Sequence, residues 1–398
     1  MITISNRVQN LASAATLAMA QKSAELREQG IDVISLAVGE PDFDTPDFIK
    51  DAAKKAIDDN FTHYSPVPGY MSLRKAIADN LYETNGVRYQ PEQIVVGTGA
   101  KQALCNAILA IINPGDEVVI PTPAWVSYVE MVKLAEGKSV LVPAPMEQNF
   151  KITPQQLREA ITPRTKMVLL CSPSNPSGAV YTREELEGLV KVLADYPEVV
   201  VLADEIYQHI NYTPSYTSLG SFSEIADRTV VVNGVSKAYA MTGWRIGFIA
   251  APIEVAKAVS KLQGQYTSGT SSIAQKAAEG AYRGDQSCVK EMCDEFRRRR
   301  DLVVELSKDI PGWEFECPDG AFYLFPRVTR LLGKKTPAGK VLESSNDVVM
   351  YLLEEAHVAT VDGASFCMDG YIRLSYAASE EDLRKALSRI AEAVKALA

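Results

Sequence analysis

The run Asn233-Gly234-Val235-Ser236-Lys237-Ala238-Tyr239-Ala240-Met241-Thr242-Gly243-Trp244-Arg245 concentrates chemistry in a short space. Lys237 lies among small residues, and Arg245 follows on the same stretch. A neutral lysine amine can form a Schiff base with an aldehyde cofactor. A nearby arginine fork can hold that cofactor's phosphate.

Such residues need a rigid frame. Ile94–Gly97, Glu117–Ile120, Lys166–Leu170, Val199–Ala203 and Thr229–Val232 are short apolar runs rich in branched side chains. Helical patterns over Lys101–Ile112, Trp125–Leu134 and Arg183–Ala194 alternate with them. That order predicts an α/β fold on a mainly parallel sheet flanked by helices. Ligands in such folds collect where strands end and loops begin. Gly99-Ala100-Lys101, Ser172–Gly178, Asp204 and Ser236-Lys237 all fall at those places. The last third reads differently. Helices over 287–309 and 380–397, with strand-like runs near 313–316, 321–326 and 371–375, predict a smaller α+β domain. The expected division is a large domain over 47–287 and a discontinuous small one from 1–46 and 288–398. Lys334–Lys340 reads as an exposed loop.

The chain's 398 residues are enough for two domains. Hydrophobic residues make up 46 % and charged ones 23 %, an ordinary globular balance. A net charge of −9 argues against a nucleic-acid partner. The basic run Arg297–Arg300 follows Glu291, Asp294 and Glu295 and reads as the charged face of a helix. Six scattered cysteines form no Cys-x-x-Cys pair, and His63, His209 and His357 stand far apart. No metal site is expected, and the thiols read as free and buried in a reducing compartment. With no leader pattern and no long uncharged apolar stretch, the expectation is a cytoplasmic protein without membrane contact.

Several motifs occur in a fixed order. They are Gly39-Glu40-Pro41-Asp42-Phe43, Tyr64-Ser65-Pro66, Gly99-Ala100-Lys101, Asn175-Pro176-Ser177-Gly178, Asp204-Glu205-Ile206-Tyr207, Ser236-Lys237, Arg245 and Arg373-Leu374-Ser375-Tyr376. Each is weak alone. Together they resemble the class I aminotransferases of fold type I, which use pyridoxal 5′-phosphate (PLP), over nearly the whole chain. The likeness is strongest to bacterial aspartate aminotransferases with a Gly-x-Lys turn.

The resemblance implies a role for each residue. Lys237 is the Schiff-base lysine and proton shuttle. Asp204 pairs with the pyridine nitrogen, and Tyr207 and Asn175 with the phenolic oxygen. Gly99, Ala100 and Lys101 at a helix start, with Ser236 and Arg245, hold the phosphate. Trp125 stacks on the ring. Tyr64 reaches the phosphate of a neighbouring subunit, so a homodimer with shared active sites is implied. Arg373 clamps the substrate's α-carboxylate, helped by Gly39 and bordered by Trp125 and Asn175. Thr16 and Lys101 serve a distal carboxylate.

The implied reaction moves an amino group between L-aspartate and 2-oxoglutarate, giving oxaloacetate and L-glutamate. Rival readings keep the cofactor: an aminotransferase for alanine, aromatic amino acids or prephenate, or a carbon–sulfur β-lyase. A PLP-sensing regulator would be expected to carry a basic DNA-binding extension. Two departures bear on specificity. Leu11–Thr16 lacks a Lys-Pro pair common in the subgroup, and Ala12 stands where relatives that accept prephenate carry a basic residue, which argues against prephenate. Gly234 replaces a serine found in other relatives, which removes one phosphate hydroxyl.

Overall fold

Seven strands form the central sheet of the computed structural model: β1 (Ile94–Thr98), β2 (Glu117–Thr122), β3 (Lys138–Pro143), β4 (Thr165–Cys171), β5 (Val200–Asp204), β6 (Thr229–Gly234) and β7 (Ile246–Ala250). Their order is β1-β7-β6-β5-β4-β2-β3. The structure describes residues 2–12 and 15–398, without the side chains of 15–18 and 20. β7 pairs antiparallel with both neighbours, and every other pairing is parallel.

Side chains alternate across the pleat. Val96, Val119, Val168, Val201 and Val231 join one core with helices Asp47–Asp58, Met71–Asn85, Arg183–Ala194 and Ser272–Arg283. Their neighbours Val95, Val118, Leu169, Leu202 and Val232 join the other, beneath helices Gly99–Ile111 and Ile253–Tyr266. Both faces are covered, which is why the strands read as continuous apolar runs. Local signals set the helix ends. The Thr182 hydroxyl accepts from the Glu185 N–H while the Glu185 carboxylate accepts from the Thr182 N–H, a reciprocal cap that starts the helix after it. Gly86, at φ +69°, ends Met71–Asn85.

The five expected strands and the five expected helices end within two residues of where the sequence puts them. β3 and β7 are additional. β3 lies at the sheet edge with mostly half-buried or exposed side chains, so its apolar signal is weak. β7 is fully buried, but it continues directly from the Lys237–Arg245 run.

A further core gathers helices Ser287–Ser307, Ser345–Glu355 and Glu380–Lys395. They surround a small antiparallel sheet of Val361–Asp362, Ile372–Ser375 and Tyr323–Leu324. Ile34–Ser35 pairs with Val358–Ala359 alongside. The strand expected near 313–316 reduces to one bridge, Glu314 with Arg327. Pro311 and Pro318 flank it, and neither can donate to a ladder. Lys334–Lys340 is mostly exposed, and Lys335 exchanges two backbone hydrogen bonds with Ala398 (2.9 and 3.0 Å).

Two expectations need correction. Arg299 is buried, not on a charged face. Its guanidinium pairs with Asp42 at 2.6 Å and Glu295 at 2.9 Å, the partners a buried cation requires. The cysteines are all free, but none is fully buried, and Cys317 is exposed. Among the described residues, no helix is long and apolar enough to cross a membrane.

Gly247 on β7 lies where an added Cβ would overlap the backbone of Gly99 and Ala100. That close approach sets the helix start against the strand. Gly247→Ala is expected to cost about 1–3 kcal/mol of stability through backbone displacement. The measurement is a urea titration, with a lowered midpoint at unchanged slope.

Candidate active site

Because β7 runs opposite to its neighbours, its amino-terminal end shares an edge with the carboxyl ends of β1, β2, β4, β5 and β6. A cavity of about 420 Å³ opens at that edge. Asp204 ends β5, Ser236 and Lys237 follow β6, and Arg245 precedes β7. Asn175 follows β4, Trp125 follows β2, and Ala100 and Lys101 open the helix after β1. Gly39, Tyr207 and Arg373 complete the wall.

The Lys237 amine donates to the Gly39 carbonyl at 2.6 Å. Burial pulls its pKa from 10.5 down to about 8; Arg373 and Arg245 act in the same direction, against Glu40 and Asp204. At pH 7 about a tenth of the amine is then neutral, far more than for an ordinary lysine, and the neutral form is the nucleophile.

Asp204 is 3 % exposed. Its Oδ2 accepts from the Tyr128 hydroxyl at 2.6 Å, and its Oδ1 from the Ile206 N–H at 3.2 Å. Burial raises its pKa to about 6, and those two hydrogen bonds oppose the rise. Arg373 is 2 % exposed and has no carboxylate partner. It donates to the Asn175 Oδ1 at 2.9 Å and the Ala37 carbonyl at 2.6 Å, and its Nε has no partner. Burial lowers its pKa. A buried cation without an anion is costly, so this wall is built to receive one.

At the other end, Arg245 has a left-handed backbone, φ +57°, uncommon outside glycine. Its guanidinium donates to the Thr242 carbonyl at 2.9 Å. Gly99 lies beneath it, where an added Cβ would come within 2.5 Å of the guanidinium. A helix N-terminus and an arginine fork thus face the same space, a combination suited to phosphate. Gly234 sits where a Cβ would meet the Ile246 carbonyl at 2.7 Å. The close pairing of β6 with β7 leaves no room there for a serine.

Lys101 places its amine 4.7 Å from the centroid of the Trp125 ring. Burial, then Arg245, lowers its pKa. Lys101 also borders a second, open groove of about 570 Å³ lined in part by Ala12, whose N–H donates to Glu130 at 2.9 Å. Tyr64 is fully exposed and lies off the cavity wall. Thr16 belongs to helix Ala15–Glu28, but its side chain lies outside the described residues.

The cavity also includes Tyr128 and Tyr323, which lie outside the motifs, and Glu40 and Thr242, which lie within the motif runs but carry no implied role. Thr242 hydrogen-bonds Glu40 at the mouth. Tyr128 lies three residues after Trp125, in the first turn of helix Ser127–Leu134, close to a residue the resemblance names. Tyr323 carries no local signal, yet its hydroxyl lies 2.7 Å from that of Tyr207. Among the described residues, no three His, Cys, Asp or Glu side chains cluster as metal ligands. Phosphate donors at one end, a buried carboxylate at the base and a low-pKa amine between them fit a phosphorylated pyridine aldehyde.

A family model described as aminotransferase class I and II matches residues 31–390. The chain is 48 % identical over 392 residues to a probable aspartate/prephenate aminotransferase of Rhizobium leguminosarum bv. phaseoli, covering 98 % of each. It is 45 % identical to an aspartate aminotransferase of Rhizobium meliloti (strain 1021), covering 98 % of this chain and 95 % of that one. A crystal structure of the aspartate aminotransferase from Rhizobium meliloti has a TM-score of 0.97 at 44 % identity, covering 100 % of both chains. The Thermus thermophilus aspartate aminotransferase with maleate has a TM-score of 0.92 at 41 % identity, covering 99 % of this chain and 100 % of that one.

The neutral form of Lys237 grows as pH rises through about 8. Acetylation of the cofactor-free protein by acetic anhydride, read at Lys237 by peptide mass, is expected to inflect near that pH. An inflection at the ordinary value of 10.5 would mean that the cavity does not depress the amine.

Proposed function

The chain belongs to the class I and II aminotransferases, which work with PLP, and from that premise we propose that it exchanges an amino group between L-aspartate and 2-oxoglutarate. The products are oxaloacetate and L-glutamate. The observation that carries this reading is the buried Arg373, without an anionic partner, on the same cavity as the low-pKa Lys237. One binds a carboxylate, and the other handles the proton beside it.

PLP, when bound, supplies an electron sink for the pair left on Cα as its proton departs. Arg373 grips the α-carboxylate through two parallel hydrogen bonds and fixes its plane, so that Cα–H stands upright to the ring. Asn175, whose Oδ1 accepts from Arg373, keeps its amide N–H for the cofactor's phenolic oxygen. Tyr207 donates to the same oxygen. Asp204 holds the ring N–H, and that positive partner keeps Asp204 ionised against the burial that raises its pKa. Arg245, Ser236 and the backbone N–H groups at Gly99, Ala100 and Lys101 hold the phosphate. Trp125 covers the ring. Lys237, released from the Gly39 carbonyl, would be the base that takes the Cα proton and gives it back in the second half-reaction.

Lys101 and Thr16 take the distal carboxylate of a dicarboxylic substrate, and the Gly39 N–H assists at the α-carboxylate. The exposure of Tyr64 supports a homodimer in which it completes the partner's phosphate site. We place the enzyme in the cytoplasm, with 47–287 as its large domain and 1–46 with 288–398 as its small one.

Prephenate is a second substrate to test. Relatives at 44–48 % identity carry it in their names, and the groove beside Lys101 offers space for a larger dicarboxylate. Ala12, not a basic residue, lines that groove.

Adding L-aspartate without an oxo acid is expected to shift the PLP absorbance to the pyridoxamine form, with one oxaloacetate per site. An unmoved band would discard the substrate. Lys237→Ala should bind PLP yet lose turnover, and Asp204→Asn should lose about a thousandfold in kcat, about 4 kcal/mol. Lys101→Ala is expected to raise KM for aspartate about tenfold or more and leave alanine nearly unchanged. Equal losses for both would remove Lys101 from the substrate pocket.

A further inference from the structure

Tyr207 and Tyr323 are both buried, and their hydroxyl oxygens share one hydrogen bond of 2.7 Å. Tyr323 stands on strand Tyr323–Leu324, paired with strand Ile372–Ser375. The Arg373 guanidinium lies over its ring, 4.4 Å from the centroid. An added Cβ at Gly39 would overlap its hydroxyl. One phenol therefore touches the Tyr207 hydroxyl, the face of Arg373 and the segment whose carbonyl holds Lys237. Besides Arg373, the ionisable groups facing the pair are Lys237, 5.9 Å from the Tyr207 ring centroid, and Cys171.

We propose that Tyr323 is a positioning residue that orients the Tyr207 hydroxyl and strengthens its hydrogen bond to the cofactor's phenolic oxygen. The inference rests on the role given to Tyr207 above. With Tyr207 donating into the cavity, its oxygen is left to accept, and Tyr323 is the donor within reach. A hydroxyl that accepts one hydrogen bond donates a stronger one. Phe322 packs edge-on against Tyr207, 5.5 Å between centroids, and limits the swing of its ring. The relay stabilises negative charge on the phenolic oxygen and lowers the pH at which the bound cofactor changes its absorption.

Tyr323→Phe keeps the ring and removes the hydroxyl. In the PLP-loaded enzyme, the midpoint of the absorbance titration is expected to rise by about half to one pH unit, roughly three- to tenfold in proton affinity. Tyr207→Phe should raise it further, and the double variant should match Tyr207→Phe alone. KM for aspartate should move little, and circular dichroism should match the parent. An unmoved midpoint in Tyr323→Phe, or shifts that add in full, overturns the proposal while leaving aspartate transamination intact. A parent protein with no PLP band overturns both.

Discussion

A convergence of positive charge on one cavity, with Arg373 buried and Lys237 half-buried, organises this molecule. Lys237, Arg245 and Arg373 converge on one cavity, with Lys101 at its side, and Asp204 is the one buried carboxylate on the wall. Two hydrogen bonds to neutral groups do not compensate a buried guanidinium as an anion does. The sheet tolerates this because its many apolar contacts are made elsewhere, on both faces and in the smaller core. The site is preorganised for anions, with cationic donors at both ends. Its donors are already aimed and need little rearrangement when a ligand arrives.

The balance is local. Burial pushes Lys237 down to about 8 and Asp204 up to about 6, so each is drawn toward its neutral form from its own side. The same desolvation therefore prepares an amine to act as a base and a carboxyl to wait for a cation. Tyr128 keeps Asp204 from neutralising further by donating to it, and the edge-on contact of Trp125 with Tyr128, 5.4 Å between centroids, fixes that donor. Trp125 and a buried acid are thus tied through one intermediate ring.

Much of this was legible because strand ends leave a local mark. Asp204, Lys237 and the Gly99–Lys101 turn each follow an apolar run, so residue type and position agree. Arg245 was legible beside Lys237 in one short run, Arg373 only through the ordered motifs. Nothing local tells a buried arginine from a surface one. Tyr128 and Tyr323 stayed hidden for a related reason. Each resembles an ordinary core aromatic, and its functional contact is with a residue far along the chain, Asp204 or Tyr207. β7 was hidden by its neighbourhood, since an apolar strand directly after a chemical motif reads as part of the motif. Arg299 was misread because four consecutive arginines look like solvent-facing charge, while a helix must turn one of them inward toward Asp42.

The place of β7 in the sheet has a consequence for how the molecule is made. β1 pairs Ile94 with Ala250 and Thr98 with Ile246, so an early strand finds its hydrogen-bonding partner only after about 150 further residues are in place. During synthesis, at about 5–20 residues per second, β1 waits for many seconds as an unpaired, largely apolar edge. Such an edge is a template for association with other nascent chains. The end of the cavity where Gly99 meets Arg245 is then among the last features to assemble, and the emerging chain passes through an interval in which chaperone protection matters most.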